Sequence, residues 1–125
     1  MQQRLIDQHP LRRGAHPNRA DGMCAMEMVA WLAGEAHSDE PGCTCPVIAA
    51  FVRACNDSLH DEARNRFLRP LVPLLVNTRG SAADEHARGY LVVDAMVRQL
   101  VPVWLRRHHR PEEAALLAAL PAVVC

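Results

Sequence analysis

Six side chains that could bind a metal ion or take part in catalysis lie within 22 consecutive residues. They are Cys24, Glu27, His37, Asp39, Cys43 and Cys45. Glu27 is the most unusual of them, because every other residue of the run Met23–Ala33 is apolar. A carboxylate removed from water must be protonated, paired with a cation, hydrogen-bonded or bound to a metal. We therefore expect Glu27 to be buried and to be compensated by its neighbours.

The first interpretation of this cluster is a metal site, and zinc is the metal that such donors suit best. The candidate ligands are Cys24, His37, Cys43 and Cys45, with Glu27 or Asp39 as a further ligand or as a hydrogen-bond partner of one. The spacing departs from the usual zinc signatures, because the Cys-x-Cys pair is tighter than a zinc knuckle and no second close pair occurs.

The second interpretation is thiol chemistry. Cys43 and Cys45 come directly before a predicted helix that begins at Pro46, and the N-terminus of a helix lowers the pKa of a nearby thiol. His37 is the nearest candidate for the base that a thiol nucleophile needs. The Cys-x-Cys spacing differs, however, from the Cys-x-x-Cys motif of redox proteins.

The third interpretation is structural, and it is the one we favour. Glu27 would accept hydrogen bonds from the unpaired N–H groups at the start of the Pro46 helix, while the cysteines pack as small apolar side chains. Pairing of Glu27 with Arg53 or Arg64 is a variant of the same interpretation. Either contact would compensate the carboxylate without any catalysis.

The elements that must position this cluster are all predicted to be helices. The predicted starts and ends are Asp21 to Gly34, Pro46 (with Cys45 or Thr44 near the cap) to Asn56-Asp57, Ser58 to Leu68 before Pro70, a short helix from Pro73, Ser81 to about Arg107, and Pro111 to Leu120. No segment shows the alternation of a strand. The fold class is therefore all-α, as a compact single-domain bundle of five to six helices. Residues 1–20 are expected to form a partly irregular N-terminal arm, and residues 21–125 the helical domain.

The longest predicted helix carries apolar residues at spacings of three and four, which is typical of a face packed into a core. This stripe consists of Tyr90, Val93, Val97, Leu100, Val101 and Trp104. Pro102 lies within the helix and should kink or divide it. Asp94 and Arg98 are spaced for a salt bridge along one face.

Composition excludes several function classes. The 14 basic and 14 acidic residues cancel, which argues against a nucleic-acid-binding protein driven by a basic surface. No stretch approaches the roughly 20 apolar residues that cross a bilayer. The first residues lack an apolar signal segment, so we expect the five cysteines to be in a reducing cytoplasm.

Part of the chain resembles short hypothetical proteins encoded in actinobacterial and actinophage genomes. The matching positions are Cys24-x-Met26-Glu27, Ala33-Gly34-Glu35, Ser38-Asp39, Pro41, Cys43, Cys45-Pro46, Asn56-Asp57 and Leu71-Val72-Pro73. The resemblance covers about residues 20–80 and implies a bacterial or phage, intracellular setting. The resemblance implies no activity, no ligand and no catalytic residue.

These observations predict a non-enzymatic protein-binding or regulatory module without a cofactor. Its partner would be another protein or a second copy of the chain. The alternative is a zinc- or thiol-dependent enzyme, or a small-ligand binder, centred on Glu27 and the Cys43–Cys45 loop.

Overall fold

The computed structural model describes residues 1–124, which form two compact units, Met1–Gly80 and the residues from Ser81 onward. Every regular element within these 124 residues is helical and none is a strand. The all-α fold class predicted from the sequence is therefore confirmed. Cys125, the fifth cysteine, lies outside the described residues.

The first unit contains three separate helices and one composite helical segment. The helices are α1 (Gln2–Gln8), α2 (Ala25–Ala33) and α3 (Pro46–Ser58), and a 3-10 turn, Arg19–Asp21, precedes α2. The composite segment consists of α4 (Asp61–Ala63), a π-helical turn (Arg64–Leu68), a 3-10 turn (Arg69–Leu71) and α5 (Val72–Leu75).

The second unit consists of a long interrupted helix and a shorter one packed on it. Its elements are α6 (Ala82–Ala95), a π-helical turn (Met96–Leu100), α7 (Val101–Arg107) and α8 (Pro111–Ala118). Pro102 follows the π turn, just as Pro70 follows the π turn of the first unit. Proline has no N–H to donate to the carbonyl four residues earlier, and its ring clashes with that carbonyl. The wider π turn before each proline accommodates the change in the hydrogen-bond pattern. The predicted division of the helix at Pro102 is confirmed.

Helix α2 lies at the centre of the first unit, as its sequence, apolar at every position except Glu27, predicts. All residues from Ala25 to Ala30 are buried, and α2 packs against both α3 and α5. A helix without a polar face is stable in water only when other elements surround it. The remaining core side chains come from several elements: Ile6, Leu11, Met23, Cys24, Ala49, Val52, Leu68 and Val72.

Several predicted helix ends are confirmed. Gly34 ends α2 in the left-handed conformation with φ 74°, and Pro46 is the first residue of α3 with Cys45 at its N-cap. Ser81 and Asp84 form a capping box at the start of α6. Each of these signals acts through the local backbone, so it does not depend on distant packing.

Two predicted caps are wrong. Cys24, not Asp21, caps α2, because the Glu27 side chain reaches back to the N–H of Cys24 while Asp21 belongs to the preceding 3-10 turn. Ser58 does not begin a helix: it is the last residue of α3, and His60 caps the next element. Helix α3 ends at Ser58, one residue after the predicted Asn56-Asp57 end, and both of these side chains bond within the fold.

The N-terminal arm, residues 1–20, takes part in the core. Ile6 and Leu11 are each 1% exposed. The backbone on either side of Leu11 is held by polar side chains from elsewhere in the unit: Asn65 bonds both the N–H and the C=O of Leu11, and Asn56 donates to Arg12 O. These bonds compensate irregular backbone that would otherwise lose its hydrogen bonds on burial.

The second unit buries far fewer residues than the first unit does. Within residues 81–124, three residues are buried: Asp94, Pro102 and Ala114. Helix α8 packs against α7 and against the π turn. A search of the helices in the described part of the chain finds none that combines the length and the apolar character needed to cross a membrane.

Candidate functional site

Glu27 is buried, as the sequence predicts, and its carboxylate is fully hydrogen-bonded. The side chain is 1% exposed. Oε1 accepts from the backbone N–H of His16 at 2.5 Å, and Oε2 accepts from the N–H of Cys24 at 2.8 Å and lies 2.8 Å from His16 Nδ1. Burial alone would raise the pKa of Glu27, but these hydrogen bonds from His16 and Cys24 outweigh it and lower the pKa.

The position of His16 depends on a glycine. Gly22 has φ +132°, and a Cβ at this position would lie 2.7 Å from the Arg12 side chain and 3.2 Å from the His16 ring. Only glycine accepts both this backbone conformation and this approach. The arm can therefore lie close enough to α2 for His16 to reach Glu27.

His37 completes the cluster. Its Nε2 lies 2.9 Å from His16 O and 3.4 Å from Glu27 Oε1. The other ring nitrogen, Nδ1, is buried and finds no hydrogen-bond partner among residues 1–124. The structure thus brings Cys24, Glu27 and His37 together around His16, which no motif or spacing in the sequence indicates.

The predicted partners of Glu27 are wrong. The carboxylate faces the N-terminal arm, and neither the start of α3 nor an arginine reaches it. Glu35 instead accepts from the N–H groups of Gly42 and Cys43, at 2.6 and 2.8 Å, in the loop before α3. A carboxylate directly after α2 can turn back onto this loop, whereas Glu27, in the first turn of α2, lies beside the arm.

Arg53 and Arg64 also bond elsewhere. Arg53 donates to Asp39 O at 3.0 Å. The buried guanidinium of Arg64 donates to Asn56 O at 2.6 Å, to Leu59 O and to the Asp61 carboxylate. Arg64 therefore donates hydrogen bonds to carbonyl groups at the end of α3, where the helix dipole favours a cation.

The cysteines have separate environments. Cys24 caps α2, and burial raises the pKa of its thiol to about 12, so the thiol is protonated at neutral pH. Cys43 is half-buried in the loop, and the Cys45 N–H donates to Thr78 Oγ1 at 3.1 Å. The backbone carbonyl of Asp39 accepts the hydrogen bond from Arg53. Within residues 1–124, no group of three or more His, Cys, Asp or Glu side chains is arranged to hold a metal ion.

A cleft of about 240 Å³ lies beside the start of α3. Arg53 and Arg79 line it together with the Glu40 carboxylate, and Arg79 donates to Gly42 O at 2.9 Å. Both arginines thus bond backbone carbonyls, and a carboxylate of opposite charge shares the cleft. Its volume is below the range of about 300–1,000 Å³ that is typical of small-molecule pockets.

A second candidate site is apolar and lies in the second unit. Val93, Met96, Leu100 and Val103 are 51%, 40%, 50% and 43% exposed, and they are spaced three, four and three residues apart. We call these four residues the α6–α7 seam. Spacings of three and four are those of the a and d positions by which one helix packs against another, and the π turn Met96–Leu100 lies within this seam.

The seam corrects the predicted core stripe of the long helix. Val93, Leu100 and Trp104 are exposed, while the other predicted members, Tyr90, Val97 and Val101, are half-buried. The helix instead buries Asp94 and Pro102 on its covered side. The apolar pattern is present as predicted, but within the described residues α8 does not cover this face of the helix.

Comparison of the chain with protein-family models, with curated proteins and with solved structures found no match. The resemblance to actinobacterial and actinophage proteins stays a prediction. Function is therefore inferred from the two sites described above, one buried and hydrogen-bonded, the other exposed and apolar.

Proposed function

We propose that this chain is a non-enzymatic protein-binding module that associates with a second copy of itself through the α6–α7 seam. The observation that carries the proposal is the exposure of four large apolar side chains at helix-packing spacing. Burial of apolar surface contributes about 25 cal/mol per Å², and a contiguous exposed patch is typical of a contact surface. Two seams brought together would bury what the single unit leaves in water.

The state of the polar cluster supports a binding function over catalysis. Both carboxylate oxygens of Glu27 already accept hydrogen bonds, from backbone N–H groups and from the His16 ring. The Cys24 thiol is protonated at neutral pH. The carboxylate fastens the N-terminal arm to α2, which is a structural task. A catalytic acid or base needs access to a substrate proton, and Glu27 is buried.

A cytoplasmic location in a bacterial or phage setting is part of the proposal. The thiols of Cys24, Cys43 and Cys55 are free, and a reducing compartment maintains free thiols. The balanced charge and the apolar seam favour a protein partner over nucleic acid.

Light scattering coupled to size-exclusion chromatography tests the proposal. We expect the purified chain to approach twice its 13.9 kDa mass as its concentration rises. Leu100→Glu should hold the chain at the single mass, because a charge in a buried seam loses its hydration.

Leu91→Glu is the matched control. Leu91 is 68% exposed, but it stands two residues from Val93 and therefore points to another side of α6. It should leave the association unchanged. A wild-type chain that stays at the single mass throughout, or equal behaviour of the two glutamate variants, would contradict the proposal.

A further inference from the structure

We infer that the two copies dock with their α6–α7 helices antiparallel, so that Trp104 of each copy enters the groove beside the partner's Gly89. This inference rests on the proposed self-association and adds its arrangement. Three observations carry it: the charges at the two ends of the helix, the groove on α6 and the exposed tryptophan on α7.

The charges at the two ends of the helix are opposite. Asp84 and Glu85 lie in the first turn of α6, while Arg106 and Arg107 lie in the last turn of α7. A parallel pair would place like charges together at both ends, at a cost in stability. An antiparallel pair places the acidic end of each helix beside the basic end of the other, which is how charged flanks select helix orientation.

The groove lies on the N-terminal half of the helix. It has a volume of about 510 Å³, and its lining residues are Ala82, Glu85, His86, Gly89, Tyr90, Val93 and Val123. A Cβ placed at Gly89 would meet no atom within 4 Å beyond its chain neighbours and the backbone of its own helix, so the missing side chain leaves open space on the helix surface. Val93 belongs both to this groove and to the seam.

Trp104 is the side chain suited to this space. It is 56% exposed and stacks on His108 with ring centroids 4.0 Å apart, which leaves much of the indole uncovered. It directly follows Val103 of the seam, on the C-terminal half of the helix. Antiparallel docking brings this half onto the partner's Gly89, and twofold symmetry repeats the contact. Buried tryptophans in pockets are the typical centres of binding energy.

Substitutions on both sides of the contact test the inference by analytical ultracentrifugation. Gly89→Leu fills the groove, and Trp104→Ala removes the side chain that would occupy it. Each should weaken dimerisation by about tenfold or more. Gly89→Ala is the control, because a single methyl leaves most of the groove open, and circular dichroism checks that each variant keeps its helices.

A charge reversal tests the orientation. Glu85→Arg alone and Arg107→Glu alone should each weaken dimerisation, and the double variant should recover much of the wild-type affinity because the end charges are exchanged together. A parallel pair keeps like charges together in every variant, so neither single variant should weaken it and there is no loss to recover.

The outcomes separate this inference from the proposed function. If Leu100→Glu abolishes dimerisation while Gly89→Leu and Trp104→Ala leave it unchanged, the seam associates but the arrangement is wrong. Failure of the double variant to recover affinity overturns the antiparallel orientation. A wild-type chain that stays monomeric overturns both proposals.

Discussion

The two units of this chain use the same kinds of residue in opposite ways. Residues 1–80 surround the apolar helix α2 and bury side chains from the arm, α3 and the composite segment. Residues 81–124 leave a seam of large apolar side chains in water and bury a carboxylate instead. Apolar content therefore does not identify a core: what decides burial is whether the same unit supplies a surface to pack against.

Both units use a buried carboxylate to fasten a terminal segment. Glu27 binds the backbone of His16 in the N-terminal arm. Asp94 bonds Arg98 at 2.6 Å and also accepts from the N–H of Val123 at 2.8 Å. In each case irregular backbone gains an acceptor, because a helix-borne carboxylate can reach N–H groups that regular structure leaves unpaired.

Loss of the Glu27 carboxylate should have the largest effect on stability. Glu27→Ala removes the acceptor for three donors in a buried site, so we expect the free energy of unfolding to fall by about 3–5 kcal/mol, measured by urea denaturation. Glu27→Gln keeps one acceptor oxygen and should cost less. A loss below about 1 kcal/mol for the alanine variant would mean that the arm is not held by Glu27.

A matched pair of leucines tests the contrast between the units. Leu11→Ala in the buried arm should cost about 2–4 kcal/mol through lost packing. Leu100→Ala on the seam should change the stability of the dilute monomer by about 0.5 kcal/mol or less. The same seam variant should weaken self-association. Equal costs for the two leucines in dilute denaturation experiments would remove the contrast.

The smallest effect should appear as a pH dependence of the second unit. Bonds from Arg98 and Val123 lower the pKa of Asp94 from 3.8 to about 2. Because the folded pKa lies below the unfolded one, this contribution is fully present above about pH 4 and is lost as the pH falls toward about 2.

Thermal denaturation between about pH 5 and about pH 2 measures this term. Asp94→Asn should flatten the pH dependence of unfolding in that window relative to the wild type. A variant with the same slope as the wild type would show that Asp94 does not contribute.

Local signals in the sequence predicted the structure correctly. Gly34, Pro46 and the Ser81–Asp84 pair mark helix ends through their own backbone conformation or through side chains three residues away. The burial of Glu27 also followed from its neighbours in the chain, because eight apolar residues of α2 surround one carboxylate.

Contacts between distant segments could not be predicted from the sequence. His16 and Glu27 are eleven residues apart, and no spacing rule connects an irregular arm to the first turn of a helix. The hydrogen bonds between Asn65 and Leu11 join residues 54 positions apart, and no pattern in the sequence predicts them. Such polar contacts depend on where each backbone passes, which a periodic pattern does not encode.

The amino-acid sequence alone determined that this chain is helical, where most helices begin and end, and that Glu27 must be compensated inside apolar surroundings. The tertiary structure decided which groups compensate it and which apolar faces stay in water. The physical reason is the range of the interactions. Caps, turns and helical periodicity act over three or four residues, whereas burial and buried hydrogen bonds depend on surfaces supplied from distant parts of the chain.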